Sequence, residues 1–479
     1  MEIFALILGV VYGLIVGIVP GAGATTGLVA VYSFIHYFYD PYHAVIFCMA
    51  VVAASTTADT YTSILLGIPG ANSAAATMVD GHPLALQGRG TYAISAAITT
   101  STINGLIWGT LVFFFFPYYA NVMLFFGTPE LWMFTILAMT CVVFISNSYP
   151  IRGIIALVIG IVLGLVGIDP QTNFDRFTLG WDYLADGIQL ITLVAGLFAV
   201  PEMLEGLRRN QPKASSTSNT KQTIDGIKVV WKNKWLALRG GFLGALVGAL
   251  PGLGGAVSDW MAYGQAVATT KNPNPPFGKG NIRGVIGPEG SNNAQKATSM
   301  VPTVLFGIPG ASFAAVLMGI FAYLDFELGS IDLIYDTQFF HSMTYGFLWA
   351  TVLVAVIGFF ATKYVVKIVN IPYKYYFPII LTIIVVACVQ YTGGWEDYVM
   401  FGLATTLGIC AKRFKFNRAA LLIGFILAER VESLTIQTFS LYNIPDLFTR
   451  TTFIVLVVLT IGVFIYGLKK VRNSKLEFV

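Results

Sequence analysis

The sequence predicts an all-α polytopic membrane protein with two inverted-topology repeats, each holding a re-entrant hairpin and a helix broken at Pro-Gly. Composition is the first observation: 56% of the residues are hydrophobic and 11% are charged, against about 25% charged in a typical soluble domain. The second is that several apolar stretches reach the roughly 20 residues that cross a bilayer. The third is a pair of motifs that occur once in each half of the chain.

Both repeated motifs interrupt apolar segments. The first motif, GxxxGxxPGxG, lies in residues 9–24 and 240–255, which share 7 identities in 16. The second motif, LxGIPGAxxAAxxM, covers residues 65–78 and 305–318, which share 9 identities in 14. A duplicated membrane domain with paired interrupted helices is typical of secondary transporters.

Each half begins with two long apolar segments, each with one break, and continues with four simple spans. In the first half these are 3–35 with a break at Pro20, 44–79 with a break at Pro69, and spans near 91–116, 130–146, 151–167 and 187–207. In the second half they are 236–270 with a break at Pro251, 291–324 with a break at Pro309, and spans near 341–362, 376–392, 397–411 and 418–438. A segment of about 35 residues is too long for one crossing, so each opening segment is predicted to enter and leave on one side as a hairpin.

Four regions follow from this order. Residues 1–207 form the first inverted repeat and residues 235–440 the second. Residues 208–234 form a cytoplasmic linker, because a composition of Ser, Thr, Asn and Lys has little to bury. Residues 441–479 carry one extra span, near 451–468, and a basic cytoplasmic tail.

Basic loops orient this array, because loops rich in Lys and Arg stay in the cytoplasm. The basic loops are 208–234, 271–283, 363–374, 412–418 and the C-terminal tail, whereas the connectors 169–186, 325–336 and 396–397 carry mostly Asp and Glu and are predicted to lie outside. Span 91–116 then runs from inside to outside, and its counterpart 341–362 runs the other way. The repeats are therefore predicted to be inverted, with the N-terminus outside and the C-terminus in the cytoplasm.

The breaks are the predicted substrate site. Proline removes a backbone donor and glycine removes the side chain, so PGxG and IPGA end helices inside the bilayer. Such a break is tolerated where it is buried in protein or lines a watery cavity. The free N–H groups after each break suit an anion, and the free carbonyls before it suit a cation. The predicted substrate-binding residues here are Gly21, Ala22, Gly23, Gly70, Ala71, Asn72, Ser73, Gly252, Leu253, Gly254, Gly310, Ala311 and Ser312.

Glycines spaced four apart before each PGxG break have another interpretation. A GxxxG pattern lets two helix backbones approach closely. We therefore predict close helix packing, and no ligand contact, for Gly9, Gly13, Gly17, Gly240, Gly244 and Gly248. A nucleotide site is excluded, because the glycine-rich stretches lack a following Lys-Ser or Lys-Thr and a preceding soluble strand.

Charged residues near the breaks are candidates for substrate or ion binding, since a charge at membrane depth costs about 3 kcal/mol. Asp59 precedes Pro69 by 10 residues and Lys296 precedes Pro309 by 13. They either bind substrate or the coupling ion, or they form an internal ion pair; Lys296 could alternatively snorkel to the cytoplasmic edge. Asp259 is either an ion ligand or a helix N-cap.

Other polar residues receive these predictions. Asn292, Asn293 and Lys296 are added to the substrate-binding set, and the ion-coupling candidates are Asp59, Asp259 and Thr57. Glu289 is interpreted as a helix-capping residue, and Arg430 with its acidic neighbours as structural. The four cysteines are predicted to be buried thiols, and neither they nor the histidines have the spacing of a metal site. No cofactor is expected beyond a coupling ion, Na⁺ or H⁺.

At these motifs the chain resembles the large membrane subunit of the tripartite tricarboxylate transporter family. The resemblance rests on GLIVGIVPGAG, TSILLGIPGANSAAATMVDGHPLA, GALVGALPGLGG and FGKGNIRGVIGPEGSNNA followed by VLFGIPGASFAAVLMG. It implies ion-driven uptake of small organic carboxylates in the bacterial inner membrane. It also implies two partners, a small four-span membrane subunit and a periplasmic solute-binding protein.

The chain departs from the family pattern near the expected site. Residues 55–59, Ser-Thr-Thr-Ala-Asp, replace a glycine-rich stretch, and PGAN replaces PGTP. Gln295 and Lys296 stand where small residues are usual, and Asp259 follows the second PGxGG. Because these changes add charge, the substrate need not be a tricarboxylate.

The sequence leaves two alternatives to a carboxylate permease and disfavours a third. A permease of the same fold for another small polar or zwitterionic solute and a passive channel both stay open on sequence. A membrane enzyme is disfavoured, because the sequence has no HExxH-type cluster or recognisable nucleophile–base pair. Uptake that saturates with substrate and collapses with the ion gradient would distinguish a transporter from a channel. Nucleic acid is not expected as a partner.

Overall fold

The helical, multi-pass prediction is confirmed. The computed structural model describes residues 1–19, 21–116, 118, 126–144, 150–169, 173–208, 220–369, 373–375, 377–390 and 392–476. Within these ranges the strands are one short antiparallel pair, β1 (Gly167–Ile168) and β2 (Asp175–Arg176). Five of the described helices are long and apolar enough to cross a membrane: Pro41–Leu66, Gly90–Phe114, Leu190–Leu207, Thr337–Phe360 and Thr451–Lys469.

The helices of the first half follow the predicted segments closely. They are α1 (Glu2–Ile18), α2 (Gly23–Tyr32), α3 (Pro41–Leu66), α4 (Ala75–Leu86), α5 (Gly90–Gly109, continued by a π-helical turn Thr110–Phe114), α6 (Thr128–Phe144), α7 (Pro150–Gly164), α8 (Leu190–Val194) and, after a π-helical turn Ala195–Ala199, α9 (Val200–Arg208). Short 3₁₀ turns lie at Ile35–Tyr37, Asn72–Ala74 and Asp182–Leu184.

The second half repeats this order after an intervening helix. Its elements are α10 (Thr220–Lys232), α11 (Lys234–Gly248), α12 (Gly254–Thr269), α13 (Arg283–Phe306), α14 (Ser312–Tyr323), α15 (Ile331–Ile334), α16 (Thr337–Val369), a 3₁₀ turn Tyr373–Tyr375, α17 (Phe377–Val389), α18 (Trp395–Arg413), α19 (Arg418–Leu441), α20 (Ile444–Leu447) and α21 (Thr451–Leu476).

The breaks of the two halves share one backbone geometry. Helix α3 ends at Gly67 with φ +61° and α13 ends at Gly307 with φ +57°, the left-handed conformation that glycine adopts without strain. Gly21 and Gly252 both have φ +76°. Local sequence therefore fixes the same helix stops twice. Pro20 itself lies outside the described residues.

The glycine stripes pack as predicted. A Cβ added at Gly9 would lie 2.6 Å from the Phe47 carbonyl of α3, and one at Gly17 would lie 2.5 Å from the Ser55 carbonyl. In the second half, a Cβ at Gly240 would lie 2.5 Å from the Gly287 carbonyl of α13. Helices α1 and α11, which precede the two PGxG breaks, are therefore held directly against the backbones of α3 and α13.

The predicted linker is partly helical. Residues 209–219 lie outside the described ranges, but residues 220–232 form α10, which packs on α5. Gln222 Nε2 donates to the Gly88 carbonyl at 3.0 Å, and a Cβ added at Gly226 would lie 2.6 Å from the Tyr92 carbonyl. An apolar stripe that includes buried Val230 explains why this part of a polar segment folds onto the protein.

One prediction about the cysteines is wrong. Cys48, Cys141 and Cys388 are buried, whereas Cys410 is exposed on α18. The reason is physical: the outer surface of a membrane chain is itself apolar, so an apolar neighbourhood does not mark the interior.

Candidate functional site

A cavity of about 420 Å³ touches all four breaks. Nine of the predicted break residues line it: Ala22, Gly23, Ala71, Ser73, Gly252, Leu253, Gly254, Ala311 and Ser312. The Thr25 and Ser312 hydroxyl oxygens, which both line it, are 3.0 Å apart, so α2 contacts the start of α14. Residues far apart in the chain thus converge on one space.

Helix N-termini point at this cavity. Helices α2, α12 and α14 begin at cavity-lining residues, namely Gly23, Gly254 and Ser312. The first N–H groups of a helix have no partner within the helix and carry partial positive charge. The cavity is therefore suited to a negatively charged group.

Four predicted residues at the breaks stand apart from this lining. Gly21 borders a smaller neighbouring cavity of about 30 Å³. Gly70 and Gly310 are buried, and each lies against the preceding helix: an added Cβ would be 2.5 Å from Asp59 Cβ in the first case and 2.6 Å from Ser299 Cβ in the second. Asn72 belongs to the 3₁₀ turn Asn72–Ala74, and its side chain lies outside the described part of the chain.

Lys296 supplies a cation to the cavity wall. Its side chain is 8% exposed, and Nζ lies 4.8 Å from the centroid of the Phe313 ring. A Cβ added at Gly255 would lie 3.4 Å from Nζ, which places the ammonium beside the first turn of α12. The Lys296 side chain therefore does not extend to the cytoplasmic edge of the membrane, and its ammonium lies beside the helix breaks.

Asp259 is not a helix cap. Helix α12 begins at Gly254, so Asp259 lies in its second turn, and its side chain accepts hydrogen bonds from Ser258 Oγ at 3.1 Å and from Ser291 Oγ of α13. It is 1% exposed. The alternative of an N-cap is thus excluded, because a cap must precede the first helical residue.

Asp59 is buried in α3, about two turns before that helix ends, and one of its carboxylate oxygens, Oδ1, has no hydrogen-bond partner among the described residues. Asp59 and Asp259 both interact electrostatically with the Glu289 carboxylate and with the Lys296 ammonium. A buried polar oxygen without a donor requires a counter-charge, a proton or an ordered ligand. The Asp59 carboxylate is therefore the least satisfied acidic group at the breaks.

The capping interpretation of Glu289 is wrong. Helix α13 begins at Arg283, and Glu289 lies fully buried in its second turn. Its carboxylate accepts hydrogen bonds from Thr60 at 3.1 Å, Thr77 at 2.8 Å and Ser101 at 2.9 Å, on α3, α4 and α5. These partners come from other helices, so the sequence around Glu289 could not reveal them. Glu289 joins four helices behind the cavity.

The two asparagines connect α13 to α3. Asn292 Nδ2 donates to the Thr56 carbonyl at 3.2 Å, and Asn293 Nδ2 donates to Thr57 Oγ1 at 3.1 Å. Both side-chain oxygens lack hydrogen-bond partners in the described part of the chain. Asn292 and Asn293 therefore lie beside the segment of α3 that carries Thr57 and Asp59. None of these four residues lines the cavity.

Sequence analysis missed the far wall of the cavity. Glu202 of α9 and residues 415–419 line it. Arg418 donates to the Leu197 carbonyl at 2.9 Å and to Glu202 Oε1 at 3.3 Å, and its guanidinium lies 5.0 Å from the Phe198 ring centroid. The basic character of loop 412–418 was the sequence signal for this wall.

Arg430 and its neighbours lie away from the cavity. Glu432 accepts two hydrogen bonds from Arg176, at 2.7 and 2.9 Å, and this contact raises the pKa of the Arg176 guanidinium. A Cβ added at Gly307 would lie 2.5 Å from Arg430 Nη1, so Arg430 packs on the end of α13. Within the described residues, His, Cys, Asp and Glu form no cluster that could hold a metal ion.

Comparison with known proteins gives one family. A sequence model described as the tripartite tricarboxylate transporter TctA family matches residues 3–423. An uncharacterized 52.8 kDa protein in the TAR-I ttuC' 3'region of Agrobacterium vitis is 28% identical over 435 residues, covering 88% of this chain and 84% of that protein. An uncharacterized protein in the TAR-II ttuC' 3'region of the same organism is 29% identical over 189 residues, covering 40% of this chain and 78% of that protein. No solved structure matches.

Proposed function

The chain belongs to the tripartite tricarboxylate transporter TctA family, and on that premise we propose that it is the permease for uptake of small organic carboxylates across the bacterial inner membrane. Uptake is driven by an ion gradient. A periplasmic solute-binding protein delivers the substrate, and a small four-span membrane subunit completes the transporter. The family is one of transporters, which agrees with the expectation that the chain is not an enzyme.

The observation that carries this proposal is the convergence of three helix N-termini and Lys296 on one cavity. A carboxylate satisfies free N–H groups and pairs with an ammonium at the same time. A volume of about 420 Å³ is in the range of small-molecule sites. Ser73, Thr25 and Ser312 add short hydroxyl contacts for the rest of the molecule.

The two halves are proposed to be inverted repeats with re-entrant opening hairpins. Under the positive-inside rule, the wall formed by Lys415 and Arg418 faces the cytoplasm. The cavity then reaches from the breaks to the cytoplasmic side, so this conformation is proposed to be the inward-facing state of an alternating-access cycle.

The topology gives a direct prediction. In a Cys410→Ser background, where the remaining cysteines are buried, a cysteine at Thr220 should react with a membrane-impermeant maleimide only from the cytoplasmic side. A cysteine at Asp175 should react only from outside. Both positions are exposed, and the basic-loop rule places residue 220 in the cytoplasm and residue 175 outside. Labelling of both positions from the same side would contradict the inverted arrangement.

Transport itself is the test of the function. Vesicles that contain the permease and its partners should accumulate radiolabelled succinate or citrate with saturable kinetics, and accumulation should collapse when an ionophore removes the ion gradient. Flux that does not saturate and needs no gradient would identify a channel. Accumulation of a zwitterion, with no accumulation of any carboxylate, would show that the substrate belongs to another class of solute.

A further inference from the structure

We propose that Asp59, Asp259 and Lys296 form the site at which one proton enters together with the substrate, so that uptake is coupled to protons and not to sodium ions. This inference rests on the proposed function and specifies its driving ion. In this proposal Lys296 binds the substrate, Asp59 carries the proton, and Asp259 shares the positive charge of Lys296.

The three groups come from both halves of the chain and are all buried. Asp59 on α3 and Asp259 on α12 are each 1% exposed, and Lys296 on α13 is 8% exposed. Lys296 Nζ would lie 3.4 Å from a Cβ added at Gly255, one helical turn before Asp259 on α12, and it interacts electrostatically with both carboxylates. Of the three, only Lys296 lines the cavity. The ammonium is thus the member of the cluster that a substrate can reach.

The charges of the cluster do not balance when all three groups are ionised. Two carboxylates and one ammonium leave one net negative charge, and the neighbouring buried carboxylate of Glu289 adds to it, in a region where uncompensated charge is costly. Asp259 receives hydroxyl donors from Ser258 and Ser291, whereas Asp59 Oδ1 has no donor in the described part of the chain. Asp59 is therefore the carboxylate that gains most from taking a proton.

Five other titratable side chains on the helices around Asp59 each have at least one hydrogen-bond partner, although Nε2 of His82 has none among the described residues. Glu289 is held by three hydroxyl groups, and the remaining contacts are Asp80 with the amides of residues 278–281, His82 with the Ile64 carbonyl, Tyr12 with the Gly27 carbonyl and Tyr61 with the Gly358 carbonyl. None of these five side chains lines the cavity, whereas Lys296 does, so the cluster that contains Lys296 is the one a bound substrate reaches directly.

Coupling follows from competition for Lys296. A substrate carboxylate that binds the ammonium brings one more negative charge, and Asp59 then loses its share of the counter-charge. Asp59 takes one proton from a hydronium ion in the cavity and returns it to water when the substrate leaves. A proton adds to the carboxylate in place, whereas a sodium ion would lie beside the Lys296 ammonium and be repelled by it.

The test uses three conditions on the same vesicles, with radiolabelled succinate and citrate as probes. A proton gradient directed into the vesicle, with the lower pH outside and no sodium present, should drive accumulation of the substrate. An inward sodium gradient at equal pH on both sides should not. Counterflow, in which unlabelled substrate is preloaded and no ion gradient is applied, should also occur. Accumulation that requires sodium would overturn this inference and leave the permease in place. Absence of uptake in all three conditions, counterflow included, would instead overturn the proposed function.

Variants locate the proton. Asp59→Asn mimics the protonated carboxyl, so it should lose accumulation driven by the pH gradient yet still exchange labelled for unlabelled substrate. Lys296→Met should lose both activities, because the substrate has no ammonium to bind. Asp225→Asn, which changes an exposed carboxylate on α10, is the matched control and should behave as the unmodified protein.

The double variant Asp59→Asn with Lys296→Met separates folding from coupling. Removing one partner of a buried charge pair costs about 3–5 kcal/mol, whereas replacing both can be nearly neutral. Asp59→Asn alone should keep its melting temperature, because Asp259 still has Lys296 as its counter-charge. Lys296→Met should lower the melting temperature, because it leaves both carboxylates uncompensated, and the double variant should recover part of that loss with transport still absent. If the double variant transports normally, the cluster is a structural ion pair and the inference is overturned, as it is if Asp59→Asn keeps full accumulation driven by the pH gradient.

Discussion

Gly310→Ala and Gly70→Ala should each abolish transport while leaving membrane insertion largely intact. A methyl group at Gly310 would lie 2.6 Å from the Ser299 carbonyl and 2.8 Å from its Cα, and one at Gly70 would lie 2.5 Å from Asp59 Cβ. Such overpacking costs about 1–3 kcal/mol. The larger effect is functional, because the displaced loops carry the cavity residues Ala71 and Ala311.

The structure gives the reason for this result. Both glycines are contact points between each IPG loop and the helix before it, and Gly310 N also donates to Thr303 Oγ1 at 3.1 Å. Melting temperature and substrate uptake, measured together, check the prediction.

Gly264→Ala is the control for these variants. Gly264 lies on α12, and a Cβ added there meets nothing within 4 Å. Alanine is favoured over glycine inside a helix by about 1 kcal/mol, so this variant should keep transport and lose no stability. Normal transport by both Gly70→Ala and Gly310→Ala would show that the IPG loops do not set the geometry of the cavity.

Asp80→Ala should cause the largest loss of stability among single substitutions of buried polar groups in α4. Asp80 Oδ1 accepts the backbone N–H groups of Gly278, Gly280 and Asn281 at 2.8, 2.9 and 2.8 Å, and Oδ2 accepts the Tyr263 hydroxyl at 2.9 Å. Each buried donor left without an acceptor costs about 1–3 kcal/mol. The loop at 278–281 leads into α13, so its release also displaces the helix that carries Lys296.

A graded series tests this role. Asp80→Asn keeps one oxygen for the three amides and should be less damaging than Asp80→Ala, and Asp225→Ala on the exposed face of α10 should be neutral. Thermal unfolding of the purified protein gives the order. If Asp80→Ala is as stable as the unmodified protein, the carboxylate does not hold the 278–281 loop.

The helix breaks and the glycine packing could be predicted from sequence, because their causes are local. A proline without its N–H and a glycine at positive φ stop a helix whatever surrounds them, and Gly67 and Gly307 do so in the same conformation. The stripes at Gly9 and Gly240 likewise needed only the spacing of small residues.

The partners of buried polar groups could not be predicted, because they come from other helices. Glu289 satisfies its carboxylate with hydroxyls from three helices, and Arg418 reaches the cavity wall beside Glu202 of a different segment. Hydrophobic periodicity gives little help here, since both the interior and the lipid-facing surface are apolar. Cys410 shows this limit most plainly, because it lies in an apolar stretch and is nevertheless exposed.

The central claim is that the four breaks enclose one carboxylate-binding cavity, and substrate protection of a single cysteine tests it most directly. Ala256 lines the cavity and is partly exposed, so Ala256→Cys in the Cys410→Ser background can be alkylated by a maleimide while mono-, di- and tricarboxylates or zwitterions are titrated. We predict saturable protection by a carboxylate, lost when Lys296→Met is added, with no protection of a cysteine at Thr220. Alkylation of Ala256→Cys at the same rate with every carboxylate present and absent would contradict the claim.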